Sequence, residues 1–599
     1  MGDLEVPVLV VGGGGCGLAA SVFLSDAGVR HLVVERREST SVLPRAHYLN
    51  QRTMEILRQH GIADDVYEIS CPLENMSEVV WRTTLAGDGP VDARDLHRMD
   101  AFGGFGTAAP YAADSPCPST NLPQHRLEPV LLRHARERAP ESLLFHHELE
   151  EFDQDADGVT ARVRDRATGE VRTVRARYLL GADGGRLVGA SLGVPMDAIS
   201  GGFSILSVHF SADLSRWWPG DSVLMTHLVS GEGEVSIIVA AGPHWGLACE
   251  EWALHLRMPP GATENTLDPA ALALRLRALF KLPDDVDLTV HRATEYRPEA
   301  VVAHSFQAGR VFLAGDAAHR QPPATGLGLN TAIQDAHNIA WKLGVVLGGQ
   351  AGPALVDTYE AERLPVARRN VSWSMACLRN YGALFASLGV VPGQPEATTA
   401  SFRELLSDTP MGDTRRSVVR EVFGTQRIEY QAHDIELGHH YQDGALVPDG
   451  TPPPPRDPMG TVHHPVARPG HRVPHAWLRR GDVRVSTLDL VGRHGGFVLI
   501  TGALGEAWTV AAKEVADSHR VALTVVAVGT GSDATGYRDT DGTWTAVRGT
   551  DDDGAVLVRP DNHVAWRSEV AGDHPEEDLD AVFRRLLHRQ GGADGRRRG

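Results

Sequence analysis

At 599 residues the chain exceeds what one compact core accommodates, so two or three domains are expected. Its 58 basic and 77 acidic residues give a net charge of −19, which argues against a nucleic-acid-binding or anionic-membrane surface. Cys16, Cys71, Cys117, Cys249 and Cys377 show no CxxC spacing, so neither a disulfide framework nor a zinc site is expected, and a reducing cytoplasm fits best.

The apolar start VPVLVVGGGG carries Asp3 and Glu5 where a secretory signal has Lys or Arg. No apolar run reaches the roughly 18 residues that a membrane span needs. Val6 to Val11 reads as a buried strand, Gly17 to Ala27 as a helix and Val29 to Glu35 as a second buried strand. This βαβ unit predicts a parallel sheet. A helix follows from about Leu127 to Arg138, then alternating strands to Asp183. Turn-punctuated alternation over 195–290 predicts an antiparallel sheet on the substrate side. Arg310 to Ala314 is another short strand, and a long helix is expected from near Gly328 through Trp341. After the proline-rich Thr451–Pro458 segment, strands and a helix repeat as a small separate α/β domain. Arg596 to Arg598 read as a terminal tail.

Gly12-x-Gly14-x-x-Gly17 lies between the first strand and helix. Glycine there permits a tight turn, close approach to a pyrophosphate and close helix–strand packing. A diphosphate would meet the positive end of the helix. Glu35, ending the second strand, stands where a carboxylate grips ribose hydroxyls, with Arg36 beside it. Two further motifs favour FAD over NAD as the resident dinucleotide. One is Leu180-Gly181-Ala182-Asp183-Gly184. The other runs from Val311 through Gly315-Asp316 and on through Pro323, Gly326, Gly328, Leu329 and Asn330.

With these three ordered motifs, the chain over about 1–380 resembles the group A flavoprotein aromatic hydroxylases. PRAHYLNQRTMEIL, DTYEAERLPVA, AHDIELGHHY and PGHRVPHAWL are similar to the dichlorophenol and polyketide hydroxylase branch, whose thioredoxin-like C-terminal domain lacks redox cysteines. No cysteine follows Cys377 here. The resemblance implies an α/β fold: a discontinuous Rossmann-like FAD-binding domain (1–190 and 288–390), an antiparallel-sheet substrate domain (191–287 with part of 76–115), a helical connection (391–430) and a thioredoxin-like domain (431–599). One departure follows Asp183-Gly184, where Gly185-Arg186-Leu187-Val188 replaces the family's usual serine and later arginine; it bears on nicotinamide handling, not on the flavin.

The resemblance further implies an FAD-dependent monooxygenase. NADPH or NADH binds transiently, and O₂ adds at flavin C4a to deliver one oxygen to a phenolic or polyketide-type ring. Asp316 would hold ribityl or pyrophosphate oxygens. The helix after Pro323–Asn330 would point amides at the flavin N1–C2 carbonyl edge, where reduced flavin is anionic. Arg45 matches an arginine near the flavin, and Gln124 a flavin-side contact, with Arg126 weaker. His47 falls where the phenol is held, as a base or as a ring packed on the flavin. A Baeyer–Villiger or epoxidising enzyme and a non-catalytic flavin-containing binder are the alternatives. Trp217-Trp218 reads as packing more than as pocket wall, and His471 and His475 as loop residues, since Pro474 opposes a helix between them. No metal or membrane partner is expected, and a homo-oligomer is.

Overall fold

The structure is a computed structural model that describes residues 4–258, 268–530 and 536–588; the basic Arg596 to Arg598 stretch lies outside them. Leu4–Val11, Gly15–Asp26 and His31–Glu35 form the expected strand, helix and strand. The parallel part of their eight-stranded sheet runs, in spatial order, Leu143–Phe145, His31–Glu35, Leu4–Val11, Val171–Gly181 and Val311–Leu313, and Gln307–Ala308, Val159–Asp165 and His147–Gln154 join it antiparallel. The central strands Leu4–Val11 and His31–Glu35 and the short Val311–Leu313 are mainly apolar and bury most of their Val and Leu, whereas Val171–Gly181 becomes apolar only at its carboxyl end. Their carboxyl ends open on one side, the side on which such sheets bind ligands. The Leu327–Leu347 helix packs against Gly15–Asp26, and Thr358–Leu388 crosses behind it.

A second sheet of seven strands is built from Ser204–Ala212, Val223–Val229, Val235–Gly242, Glu251–Met258 and Leu288–Tyr296, extended by Glu78–Arg82 and Asp95–Asp100. It is antiparallel except where Val223–Val229 runs parallel to Glu78–Arg82. Leu288–Tyr296, expected with the flavin half, pairs along the length of Ser204–Ala212 and belongs to this sheet. The reason is register: only through that pairing are its ladder groups satisfied.

The C-terminal part holds Phe497–Thr501 and Leu523–Gly529 in parallel around the Glu506–His519 helix. The antiparallel pair Ala555–Val558 and Val564–Ser568 and the helix Pro575–Leu586 follow. This is the thioredoxin-like order. All five cysteines are free, and none lies in this part. Among the described residues no helix is long and apolar enough to cross a membrane.

The C-terminal part is bolted to the nucleotide half by buried charge. Glu362 accepts from Lys342 Nζ at 2.8 Å, from Arg559 Nη1 at 2.7 Å and from the Ala445 amide at 2.8 Å, and the ionic side chains are fully buried. Burial pushes the Glu362 carboxyl up, but the Arg559 and Lys342 charges outweigh it and hold it at about 2. Arg472 likewise reaches Glu55 at 2.7 Å. Removing one partner of a buried pair leaves an unpaired buried charge, which costs about 3–5 kcal/mol. Glu362→Ala is therefore expected to lower Tm by many degrees in a thermal melt. A melt equal to wild type would show that the pair does not join the two parts.

Candidate active site

A cavity of about 1560 Å³ opens at the carboxyl ends of the parallel strands and runs to the second sheet. It exceeds the roughly 300–1000 Å³ of a pocket for one small ligand. Two molecules fit it better than one.

At its nucleotide end, Gly12 adopts φ +111°, and a Cβ there would lie 2.2 Å from the Ala182 carbonyl oxygen. At Gly17 a Cβ would lie 1.8 Å from the Gly12 carbonyl oxygen. Both glycines are forced by backbone against backbone. Gly14 differs: its Cβ would meet nothing closer than 3.4 Å, and Gly14 lines the cavity. The Glu35 carboxylate accepts from the Gly13 and Arg37 amides at 2.7 and 2.8 Å. Lone pairs remain on both of its oxygens. Arg36 borders the same channel, its guanidinium lowered by burial and by the nearby Arg186 and Arg37 charges.

The second and third motifs close on the first. A Cβ on Gly315 would sit 3.0 Å from Ala332 and 3.3 Å from Cys16 Sγ, and one on Gly15 would sit 2.7 Å from Leu329. Asp316 lines the cavity; burial raises its carboxyl against the His319, Arg320 and Arg45 charges. Gly326, at φ +61°, caps the Leu327–Leu347 helix with no side-chain acceptor on its first amides. Pro323, Gly326, Gly328 and Leu329 line the cavity beside those amides. An uncapped helix start with open glycine backbone is a ready anion site.

Three expected residues are not at the wall. Gly17 and Gly315 act by close packing, and the Asn330 side chain turns away from the cavity. Asn330 donates to the Tyr48 and Gly326 carbonyl oxygens at 2.9 and 2.6 Å and accepts from the Asn50 amide at 3.1 Å. Its amide satisfies backbone groups that no secondary structure reaches. Asp183 lines the cavity, but its carboxylate also caps its own turn through the Gly185, Leu187 and Val188 amides.

Gln124 and Arg45 meet at the middle of the cavity, the Gln124 amide donating to the Arg45 carbonyl at 2.8 Å. The Gln124 side chain donates to Glu128, a residue the sequence does not single out. Glu128 accepts from the Gly15 amide at 2.9 Å and the Ser41 amide at 2.6 Å, tying the glycine turn to the loop before Arg45. Its Gln-x-x-x-Glu spacing, one helical turn, is the only local signal.

At the far end, His47 Nδ1 lies 2.5 Å from Asn121 Oδ1. Asn121 Nδ2 donates to the Ala240 carbonyl at 3.4 Å, which orients Oδ1 toward the imidazole. Nδ1 therefore carries the proton and Nε2 keeps a lone pair. Burial holds the imidazole pKa below its ordinary value, with the Asn121 bond working against it. The surrounding wall combines Ile205, Met225, Val239 and Phe385 with His255 and Tyr296. Trp218 is not part of it; its indole donates to Val223 and packs on Trp252. His471 stacks on His440, and His475 bonds Ser486. Among the described residues, His125, His209 and Glu251 are one group whose donor atoms lie within 4.8 Å, and Arg126 already neutralises Glu251 at 3.0 Å.

Two buried carboxyls have raised pKa values. Burial lifts Glu436 to about 8 and Glu429 to about 7. Each favours the folded state while protonated, and that contribution is lost as pH rises through these values. Neutral buried histidines contribute fully above about pH 6.5 and do not mask the trend. Tm is expected to fall between about pH 6.5 and 8, below the range where the buried Lys342 ammonium, lowered to about 8, opposes the trend, and to fall less in Glu436→Gln; an equal slope in the variant would contradict this.

The FAD binding domain family model matches residues 5–374, and the aromatic-ring hydroxylase C-terminal model matches 466–589. The chain is 35% identical to 2,4-dichlorophenol 6-monooxygenase of Delftia acidovorans, over 98% of each chain. It is similar to the crystal structure of the flavin-dependent monooxygenase PieE in complex with FAD and substrate, with TM-score 0.91, 39% identity, and 98% of this chain and 100% of that one covered. It is also similar to aklavinone-11 hydroxylase in complex with FAD and aklavinone, with TM-score 0.77, 31% identity, and 98% and 100% covered.

Proposed function

The chain belongs to the FAD-binding aromatic-ring hydroxylase family, and from that premise we propose that it inserts one oxygen of O₂ into a phenolic or polyketide-type aromatic ring, with NADPH or NADH as a transient reductant. The observation that carries this reading is one continuous cavity lined by the glycine cradle of the nucleotide half and by an apolar chamber that includes His47.

The residues present fit FAD. Gly12 makes the tight turn, Gly14 leaves the wall open to a pyrophosphate at the Gly15–Asp26 helix start, and the spare lone pairs of Glu35 suit ribose hydroxyls. The uncapped amides before Asn330 suit a ring edge that becomes negative, and Gln321 Nε2, buried without a partner, faces the same cavity. Bound FAD, once reduced, supplies the oxygen-activating chemistry.

The chain's own residues then govern the proton and the water. His47 Nε2 accepts the phenol proton, which makes the ring more electron-rich, and Asn121 Oδ1 steadies the imidazolium through Nδ1–H. The apolar wall keeps bulk water from the reacting centre. Arg45 and Gln124 stand at the junction of the two ends and set where one molecule meets the other.

Purified protein is expected to hold FAD near one per chain and to oxidise NADPH or NADH faster when a suitable phenol is added. His47→Ala should lower kcat on the order of 10²-fold with FAD content unchanged. A protein that takes up no FAD, or whose oxidation rate ignores every phenol, would overturn the reading; an unchanged kcat in His47→Ala would remove the base.

A further inference from the structure

The cavity that His47 lines holds a second polar group that the reading above leaves without a task. Glu429 lies in the short helix Arg427–Tyr430 and lines the cavity. Its Oε1 accepts from the Thr325 amide at 3.4 Å, beside the Gly326 helix start. Its Oε2 is buried with no hydrogen-bond partner. Tyr430 Oη lies 2.6 Å from Tyr381 Oη and 2.6 Å from His227 Nε2, and all three side chains line the same wall.

A neutral His227 must be the acceptor when its bonded nitrogen lacks a proton. Burial drives its pKa to about 3, so it is uncharged at neutral pH. When the chain runs toward His227, Tyr430 gives its one proton to His227 and Tyr381 gives its one proton to Tyr430. Both hydroxyl protons are then spent along the chain, so the two tyrosine oxygens beside Glu429 offer its Oε2 no donor. A carboxylate left in that position would be a buried charge with one oxygen unpaired, and protonation relieves it. Burial raises the carboxyl to about 7, against the Tyr381, Thr325 and Tyr430 contacts. The titratable groups around it are Tyr381 and Cys377 on the Thr358–Leu388 helix, Tyr430, and His227 on the sheet, and none of these is a cation at neutral pH. Arg379 lines the cavity as well, on the helix that carries Tyr381.

We propose that the Glu429 carboxyl, braced by Thr325 and backed by the Tyr381–Tyr430–His227 chain, donates a hydrogen bond to a carbonyl oxygen of the substrate. The site then selects an aromatic ring that carries a ketone or quinone oxygen besides its phenol. This rests on the cavity being the hydroxylation site. It adds a second recognition element to the same cavity: His47 takes a proton from one substrate oxygen, and Glu429 gives a hydrogen bond to another. A phenol with a single oxygen leaves the carboxyl unsatisfied, and an unmet buried donor costs affinity.

The test is equilibrium binding to the FAD-loaded protein, read by the change in flavin absorbance. The probes are 6-hydroxy-1-tetralone and 5,6,7,8-tetrahydro-2-naphthol, which share a ring skeleton and a phenol and differ by one carbonyl. Wild type should bind the tetralone about tenfold more tightly. Glu429→Gln, whose amide still donates, should keep most of that preference, and Glu429→Leu should lose it while retaining FAD and its affinity for the naphthol. For 1-tetralone, which does not ionise, wild-type affinity should fall from about pH 6 to 8, and Glu429→Gln affinity should not. Equal binding of both phenols by wild type, or a preference that survives in Glu429→Leu, would overturn the inference and leave the hydroxylase reading standing. Failure of wild-type holoprotein to bind either phenol would overturn both.

Discussion

The architecture of the site depends on one fully buried carboxylate, Asp335. It accepts from the Gly315 amide at 3.1 Å, from His319 Nε2 at 2.7 Å and from Arg363 Nε at 2.8 Å. Burial alone would raise its pKa; the Arg363 and His319 interactions outweigh that and keep it ionised. Through Asp335 the Gly315–Asp316 turn is fixed to the Leu327–Leu347 helix, and Arg363 joins both to Thr358–Leu388. The turn cannot move outward without breaking a charge-assisted hydrogen bond in a site closed to water, where such bonds are strongest. Gly315 is thereby held against Cys16, so two motifs some three hundred residues apart in the chain share one wall.

From that fixed wall the cavity extends in only one direction. The parallel sheet closes one end and the antiparallel sheet the other. Glu128 keeps the glycine turn and the loop before Arg45 in one frame. Asn330 does the same for the Tyr48–Asn50 backbone. Among the described residues, the thioredoxin-like part adds none to the cavity wall. It contributes rigidity, because Arg559 and Arg472 bury their charges against Glu362 and Glu55 of the nucleotide half. The outcome is a preorganised chamber rather than one assembled by its ligand.

What was legible in the sequence was whatever steric necessity had written locally. Gly12 and Gly17 announce themselves because no other residue fits where backbone meets backbone, and the first two parallel strands because they are short runs of Val and Leu. Glu35, His47, Arg45 and Gln124 were found through motif register, and all border the cavity. Asn330 was placed at the right helix, but its side chain serves the backbone, a distinction that depends on rotamer and not on position. Asn121, Glu128, Glu429 and Glu436 were missed. Each is a single polar residue whose meaning comes from partners far along the chain; the Gln-x-x-x-Glu spacing at Glu128 and the AHDIELGHHY stretch around Glu436 mark a place but not a role. The same holds for Leu288–Tyr296, whose strand neighbour is set by tertiary pairing.

The most direct test of the account is a crystal structure of the chain with FAD and a bound phenol. The adenine half should lie along Gly12, Gly14 and Glu35, the flavin ring against the amides that begin the Leu327–Leu347 helix, and the phenol oxygen toward His47. Flavin density outside this cavity, or a phenol bound away from the ring, would contradict it.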